Sequence, residues 1–265
     1  MRQVFLQFPW IHAPTPKSFF PLFQRYGHYQ VLKAGQAIYN GGTDGEVAWI
    51  LSGLCAFRMQ DAQDKAHYFT LVPAHRLVGN VDAYTASVVN VLDFAMRESE
   101  VLLLPRHDFV EALQRDARLA EEHTSVLVHE HESDMEGLFS VATDTLALRL
   151  VRLFGALLFR DSPRESFHWE KAIDGFFPQP VPFGLTPTEI AKIVHASRTA
   201  VSLQLSAWER SGLIRLLDGE RYITPELLRL ASDWLWSSKV TQPTVRRFPN
   251  RRSPKPESSS STVTI

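Results

Sequence analysis

Between Leu185 and Ile214 the chain reads LTPTEIAKIVHASRTAVSLQLSAWERSGLI, which fits two short helices joined by a tight turn. Thr186 can cap the first helix, Pro187 suits its first turn, and Glu189 stands three residues after the cap, where it can close a capping box. Ile190, Ile193 and Val194 give this helix one apolar face. Ser197 can cap a second helix in which Val201, Leu205 and Trp208 fall on one side by the 3.6-residue period. Arg198, Thr199, Ser202 and Leu203 are left on the other side. A helix that reads DNA is built in this way, with its N-terminal half aimed at base edges. Gly212 ends the helix, and Leu213 to Leu216, Asp218-Gly219 and Arg221 to Ile223 predict a two-stranded wing. An αα-hairpin inside an ordinary helical domain shares the helix pattern alone. The capping box, the spacing and the wing together favour DNA binding.

The 265 residues suffice for one large domain or two ordinary ones, and 45% hydrophobic with 22% charged residues is a globular balance. Cys55 is the sole cysteine, which excludes an intrachain disulfide framework and any all-cysteine metal or iron–sulfur site. Met1 to Pro14 is broken by Gln, His and Pro and makes a poor signal peptide. No apolar run reaches membrane-spanning length, since Arg149 and Arg152 interrupt even Leu146 to Phe159. The expectation is a cytoplasmic protein with no membrane association. A net charge of -1 conceals a gradient. Residues 1–145 carry 11 Lys or Arg against 18 Asp or Glu, residues 146–240 carry 12 against 10, and residues 241–265 carry 5 against 1. The acidic half would repel phosphates, so DNA contact belongs to the C-terminal part.

From His28 to about Pro105 short apolar runs alternate with Gly and Asp turns. The runs are Tyr29 to Lys33, Ala37 to Tyr39, Val47 to Leu51, Leu54 to Met59, His67 to Val72 and Val101 to Leu104, which predict an antiparallel barrel or sandwich. Asp108 to Gln114 reads as a short helix. A long helix follows over about Arg118 to Thr143, with Leu119, Val126, Leu127, Met135, Leu138, Val141 and Ala142 as an approximate stripe. That stripe suits a dimerisation seam or packing on the chain's own barrel. Thr145 to Phe159 predicts a further, strongly apolar helix, and the Pro- and Ser-containing stretch after Ser238 predicts a disordered basic tail. The run His129-Glu130-His131-Glu132 invites a metal reading. On a strand its histidines would share a face, but on a helix residues two apart point about 200° from each other. The surrounding period is helical, so no metal site is assigned. No catalytic constellation emerges and no cofactor is expected; the chain reads as a regulator, not an enzyme. A metal- or haem-responsive regulator of the same fold, and more distantly a barrel-type metalloenzyme, stay open as alternatives.

With this order on the page, the sequence resembles the CRP/FNR superfamily of bacterial transcription regulators over about Phe19 to Trp234. Leu32-Lys-Ala-Gly35, Asn40-Gly-Gly-Thr-Asp-Gly45 and Trp49-Ile-Leu-Ser-Gly53 are similar to the turns and strands of its cyclic-nucleotide-type barrel. Glu189 to Ile214 is similar to its DNA-binding signature. The resemblance implies an α+β fold: an N-terminal jelly-roll β-barrel that senses an effector (1–117), a long dimerisation helix (118–143) and a C-terminal winged helix-turn-helix (144–238), then the tail (239–265). It also implies a homodimeric activator that binds near-palindromic DNA and recruits RNA polymerase when a small-molecule effector occupies the barrel.

Residue by residue, the resemblance makes Arg198 a base reader, with Ser197, Thr199 and Ser202 at phosphate or base edges. Leu203 stands where relatives often carry a second Arg, so it offers only apolar contact. Lys192, Arg210 and Arg221 are candidates for phosphate contact. Cyclic-nucleotide members hold the phosphate with a Gly-Glu pair and a later Arg-Ser/Thr-Ala triplet. Here Gly79 is followed by Asn80 and Val81, and the triplet position reads Val89-Asn90-Val91, without a guanidinium. Gly79, Asn80, Val81 and Asn90 thus predict an effector pocket for a small, largely apolar ligand and not cyclic AMP. A barrel that has lost ligand binding would keep the same turns. Phe19-Phe20-Pro21, Leu77-Val78-Gly79 and Arg149-Leu-Val-Arg-Leu-Phe154 carry a closer resemblance to the regulators of reductive dehalogenation, which implies an aromatic effector.

Overall fold

The structure, a computed structural model, describes residues 5, 7–38, 45–60, 66–81, 91–162 and 169–230. Eight strands make up the N-terminal half: β1 (His28–Leu32), β2 (Ala37–Ile38), β3 (Glu46–Ser52), β4 (Leu54–Gln60), β5 (Ala66–Pro73), β6 (Leu77–Val78), β7 (Val91–Ala95) and β8 (Ser99–Pro105). They form two antiparallel four-stranded sheets, ordered β1-β8-β3-β6 and β2-β7-β4-β5. The expected barrel is therefore corrected to two sheets, with no strand pairing between them among the described residues. One reason is visible at the edge of β5. There the N-terminal segment takes up backbone groups that a closing strand would use, with Leu71 N–H donating to Trp10 O at 2.8 Å and His12 N–H to Leu71 O at 3.2 Å. Gly53 turns β3 into β4 at φ +93°, where an added Cβ would lie 2.3 Å from Ser99 Oγ.

Both sheets are covered on both faces, which explains why apolar residues run on without strict alternation. Leu32, Ile50, Cys55, Val72, Val78 and Val101 fill the space between the sheets. On the outer face of the first sheet, Trp49, Leu77 and Leu104 pack under α1 (Phe20–Tyr26) and α2 (Arg106–Arg115) through Phe23 and Phe109. On the outer face of the second, Leu54, Ala56, Tyr68 and Phe94 belong to a cluster shared with the C-terminal helices.

The long helix α3 spans Ala117–Thr143, opened by Asp116, whose carboxylate accepts from Arg118 N and Leu119 N. Its buried side carries Leu119, Val126, Glu130, Ser133, Gly137 and Ser140, so small and polar residues replace the apolar stripe over its second half. The N-terminal segment exploits them. Ser133 Oγ lies 2.7 and 2.8 Å from the carbonyl oxygens of Phe8 and Ile11, with one proton to donate to either, and accepts from Ile11 N, and a Cβ on Gly137 would meet the Trp10 ring at 3.0 Å. At the corner into α4 (Leu146–Leu158), Arg152 is buried between the carboxylates of Glu136 and Asp144 and bonded to both. The C-terminal part adds α5 (Trp169–Asp174), β9 (Gln179–Pro180), α6 (Pro187–Ile193), α7 (Arg198–Arg210), the hairpin β10 (Ile214–Leu217) and β11 (Glu220–Ile223), and α8 (Pro225–Arg229). Among the described residues no helix is long and apolar enough to cross a membrane. The tail expected to be disordered, and Asn90, lie outside the described residues.

Candidate DNA-binding and ligand-binding sites

The helix pair forms as its local chemistry dictates. Thr186 Oγ1 accepts from Glu189 N while Glu189 Oε2 accepts from Thr186 N at 2.8 Å, a closed capping box, and Pro187 occupies the first turn of α6. Ser197 Oγ accepts from Ala200 N at 3.1 Å and starts α7. Val201, Leu205 and Trp208 are all buried, and Ile190, Ile193 and Val194 bury the matching face of α6. The turn between the helices places His195 at φ +51°. Arg149 of α4 donates to the carbonyls of Val194 and His195 at 2.6 and 3.2 Å, satisfying acceptors left over at the end of α6.

Burying that face of α7 leaves Ser197, Arg198, Thr199 and Leu203 exposed and Ser202 half-buried among them. These five of the side chains the sequence assigns to DNA contact are brought to the first two turns of one helix. Arg210 is exposed at the other end of α7. β10 and β11 pair in register, Ile214 with Ile223 through Leu217 with Glu220, around Asp218 (φ +51°) and Gly219 (φ +82°), the two left-handed residues of a type I′ turn. Arg215, which the sequence reading passed over, is exposed on this hairpin. Arg221, by contrast, is committed to an ion pair with Glu209 at 2.5 Å.

Lys192 departs from its expected place. Its ammonium lies 4.9 Å from the centre of the Tyr68 ring and 3.5 Å from the Tyr68 hydroxyl, so in this arrangement it faces the second sheet and not a phosphate. It belongs to a seam between α6 and β5. There Arg97 grips Glu189 with two bonds of 2.7 and 3.0 Å and also donates to Phe183 O and Gly184 O. His67 and His195 stack at 5.5 Å across the same seam.

The second site is a cavity of about 350 Å³ between the second sheet, the N-terminal segment and α3. Gly79, Asn80 and Val81 line it, as the sequence reading places them. Asn80 is buried and donates from Nδ2 to Glu130 Oε2 at 3.1 Å. The apolar lining comes from Phe57, Val72, Val78 and Leu127; the polar lining adds His12, Asp93, Glu130, His131 and Asp134. Sequence reasoning missed these polar residues. A signal was present: Glu130 lies four residues beyond Val126 and seven before Gly137, on the core-facing stripe, where a carboxylate is out of place.

Burial dominates the electrostatics of the cavity. It pushes Glu130 up to about 8, with the hydrogen bond from Asn80 pulling the other way and Asp134 and Asp93 adding to the rise. It pushes Asp134 up to about 6, partly offset by the hydrogen bond from Thr70. His12 is pulled down to about 3 by burial and by Arg76, so it is neutral. The 3.4 Å contact of its Nδ1 with Glu130 thus joins two neutral groups and is not an ion pair. Among the described residues no group of three or more His, Cys, Asp or Glu side chains could hold a metal ion.

The double sheet, the 27-residue helix and the capped helix pair with its hairpin, in that order, are similar in fold to a putative transcriptional regulator of the CRP/FNR family from Eubacterium rectale, at TM-score 0.57 and 15% identity over 81% of this chain and 95% of that one. Among similar solved structures is the c-di-GMP-responsive global regulator CLP of Xanthomonas campestris, at TM-score 0.60 and 15% identity over 79% of this chain and 99% of that one. FixK2 of Bradyrhizobium japonicum is similar at 0.63 and 13%, over 78% and 96%. CprK in complex with OCPA is similar at 0.54 and 13%, over 85% and 99%. No family model matches the chain, and no curated protein matches its sequence.

Proposed function

We propose that this chain is a sequence-specific DNA-binding transcription regulator of the CRP/FNR type, cytoplasmic and not an enzyme. It would act as a homodimer on a near-palindromic site and recruit RNA polymerase. The observation that carries the reading is the outward face of α7, where Ser197, Arg198, Thr199 and Leu203 are exposed, with Ser202 half-buried among them, on a helix anchored by Val201, Leu205 and Trp208. In this reading α6, α7 and the β10–β11 hairpin are a winged helix-turn-helix, and residues 1–117, 118–143 and 144–238 are the sensing, dimerising and DNA-binding domains. Arg198 reads guanine O6 and N7, Leu203 meets a thymine methyl, and Ser197, Thr199, Ser202, Arg210 and Arg215 position the helix on phosphates and base edges. Lys192 reaches a phosphate only once the α6–β5 seam opens.

The exposed side of α3 supports the dimer. Val128, Leu138 and Phe139 are respectively 50, 41 and 37% exposed, and with Met135 they line one side of the helix at spacings of three, four and seven. Two copies would bury this stripe and bring two recognition helices into successive major grooves roughly 34 Å apart. The cavity at Gly79, Asn80 and Val81 is the effector site in this reading, with a small non-nucleotide ligand in contact with α3. Among the described residues no Lys or Arg lines it to neutralise a phosphate. Selection of bound fragments from random duplex DNA tests the proposal. Enrichment of a two-fold symmetric site supports it, and recovery of unenriched DNA contradicts it.

A further inference from the structure

The cavity on α3 has a charge character that a merely apolar pocket would lack. Glu130 and Asp134, four residues apart on one face of α3, and Asp93 of β7 bring three carboxyl groups to its wall, and none of its described lining residues is Lys or Arg. Nδ1 of His12, on the same wall, is buried without a hydrogen-bond partner. The opposite wall is apolar and includes the Phe57 ring with Val72 and Val78.

We propose that the effector is a small organic cation, a protonated amine or amidine carried on a compact apolar body. This rests on the reading of the cavity as the effector site. The cationic nitrogen sits against Asp134 and Glu130 and can donate to His12 Nδ1, while the apolar body lies against Phe57, Val72 and Val78. Among the described lining residues a carboxylate or phosphate ligand would meet like charge, with no guanidinium or ammonium to compensate it.

The protonation states follow from the surroundings of Glu130. Asn80 faces it from the turn after β6, His12 from the N-terminal segment, Asp134 and His131 from α3, and Asp93 from β7, while the Arg76 guanidinium is bonded to the carbonyls of His12, Ala74 and Arg160 and to the Asp161 carboxylate. At pH 7 Glu130, at about 8, keeps its proton, and Asp134, at about 6, is mostly ionised. A bound cation supplies the missing countercharge and drives the proton off Glu130 into solvent, so that binding releases close to one proton.

Calorimetry and thermal shift on the full-length protein test this with 2-phenylethylamine, benzamidine, phenylacetate and 2-phenylethanol. The amine and amidine are expected to raise Tm and bind at least tenfold more tightly than the acid and the alcohol. Their binding enthalpy at pH 7 should vary with the ionisation heat of the buffer, as release of about one proton requires. Glu130→Gln should remove that proton release and most of the preference for the cation; an amide in place of a largely protonated carboxyl keeps the fold, which circular dichroism checks. Val81→Trp, at the exposed rim, should block the amine without touching the carboxyl groups. Acid or alcohol binding as tight as the amine, or no binding of the amine at all, overturns the ligand class. Amine binding unchanged in both variants overturns the location. Enrichment of symmetric DNA is read separately, so failure here is distinguishable from failure of the DNA-binding reading.

Discussion

Glu130 is a buried carboxyl whose ionisation is tied to the folded state. Its folded value of about 8 stands above the ordinary 4.5, so its contribution to stability is fully present below pH 4.5 and is lost as pH rises through 8. The groups shifted downward work at other pH values. His12 and His123, pulled down by burial to about 3 and about 4, destabilise the fold as pH falls below 6.5; Asp134, raised like Glu130 but only to about 6, loses its contribution between about 4 and 6. Between pH 7 and 8.5 Glu130 therefore dominates, and the protein should lose about 1 kcal/mol of unfolding free energy over that span. Urea titrations at the two pH values should show this loss in the parent and a much smaller one in Glu130→Gln; equal losses would contradict it. At this scale the sequence was legible where a residue acts on its own backbone, as with the caps Thr186 and Ser197 and the turn Asp218-Gly219. It was illegible where partners come from afar. Nothing near Asn80 in the chain announces Glu130, fifty positions on, and nothing near His12 announces a cavity.

Elements divided along the same line. Apart from β7, the strands with five or more residues and a covered face announce themselves by composition, whereas β6 and β9 have two residues each and no period to detect. β7 was overlooked because Asp93 interrupts its apolar run, and the structure buries that aspartate in the cavity wall. Phe8 to Ile11 was left unassigned although it is buried against β5 and α3, since its order comes from tertiary contacts and not from a repeat. The corner between α3 and α4 yields a prediction at this scale. Arg152→Met leaves Glu136 and Asp144 buried without their countercharge and should cost about 3–5 kcal/mol, measured by urea unfolding. A cost below 1 kcal/mol would show that the corner relaxes. The seam yields another: Arg97→Ala removes the grip on Glu189 but leaves the capping box of α6 intact. Faster amide exchange in β5 and α6 is expected, with α7 unchanged; uniform acceleration along α7 would contradict it.

For the molecule as a whole, two halves share one apolar cluster and a polar seam, and α3 offers its remaining apolar side to solvent. Leu138→Glu with Phe139→Glu should convert a dimer to a monomer in sedimentation equilibrium without loss of helix content. The order of sheets, long helix and capped helix pair was legible because each announces its period. The choice between barrel and sandwich was not, because closure depends on which segment covers the edge of β5. A ligand in the proposed effector cavity would touch α3 and the second sheet at once, and would bias the seam only through different affinity for two arrangements of it. The most direct test of the central claim is the anisotropy of a labelled duplex carrying the selected palindrome, titrated with parent protein and with Arg198→Ala. The account predicts affinity for that duplex falling by about 10- to 100-fold, with binding to a scrambled duplex and the dimer unchanged. Equal affinity of the two proteins for the palindrome would contradict it.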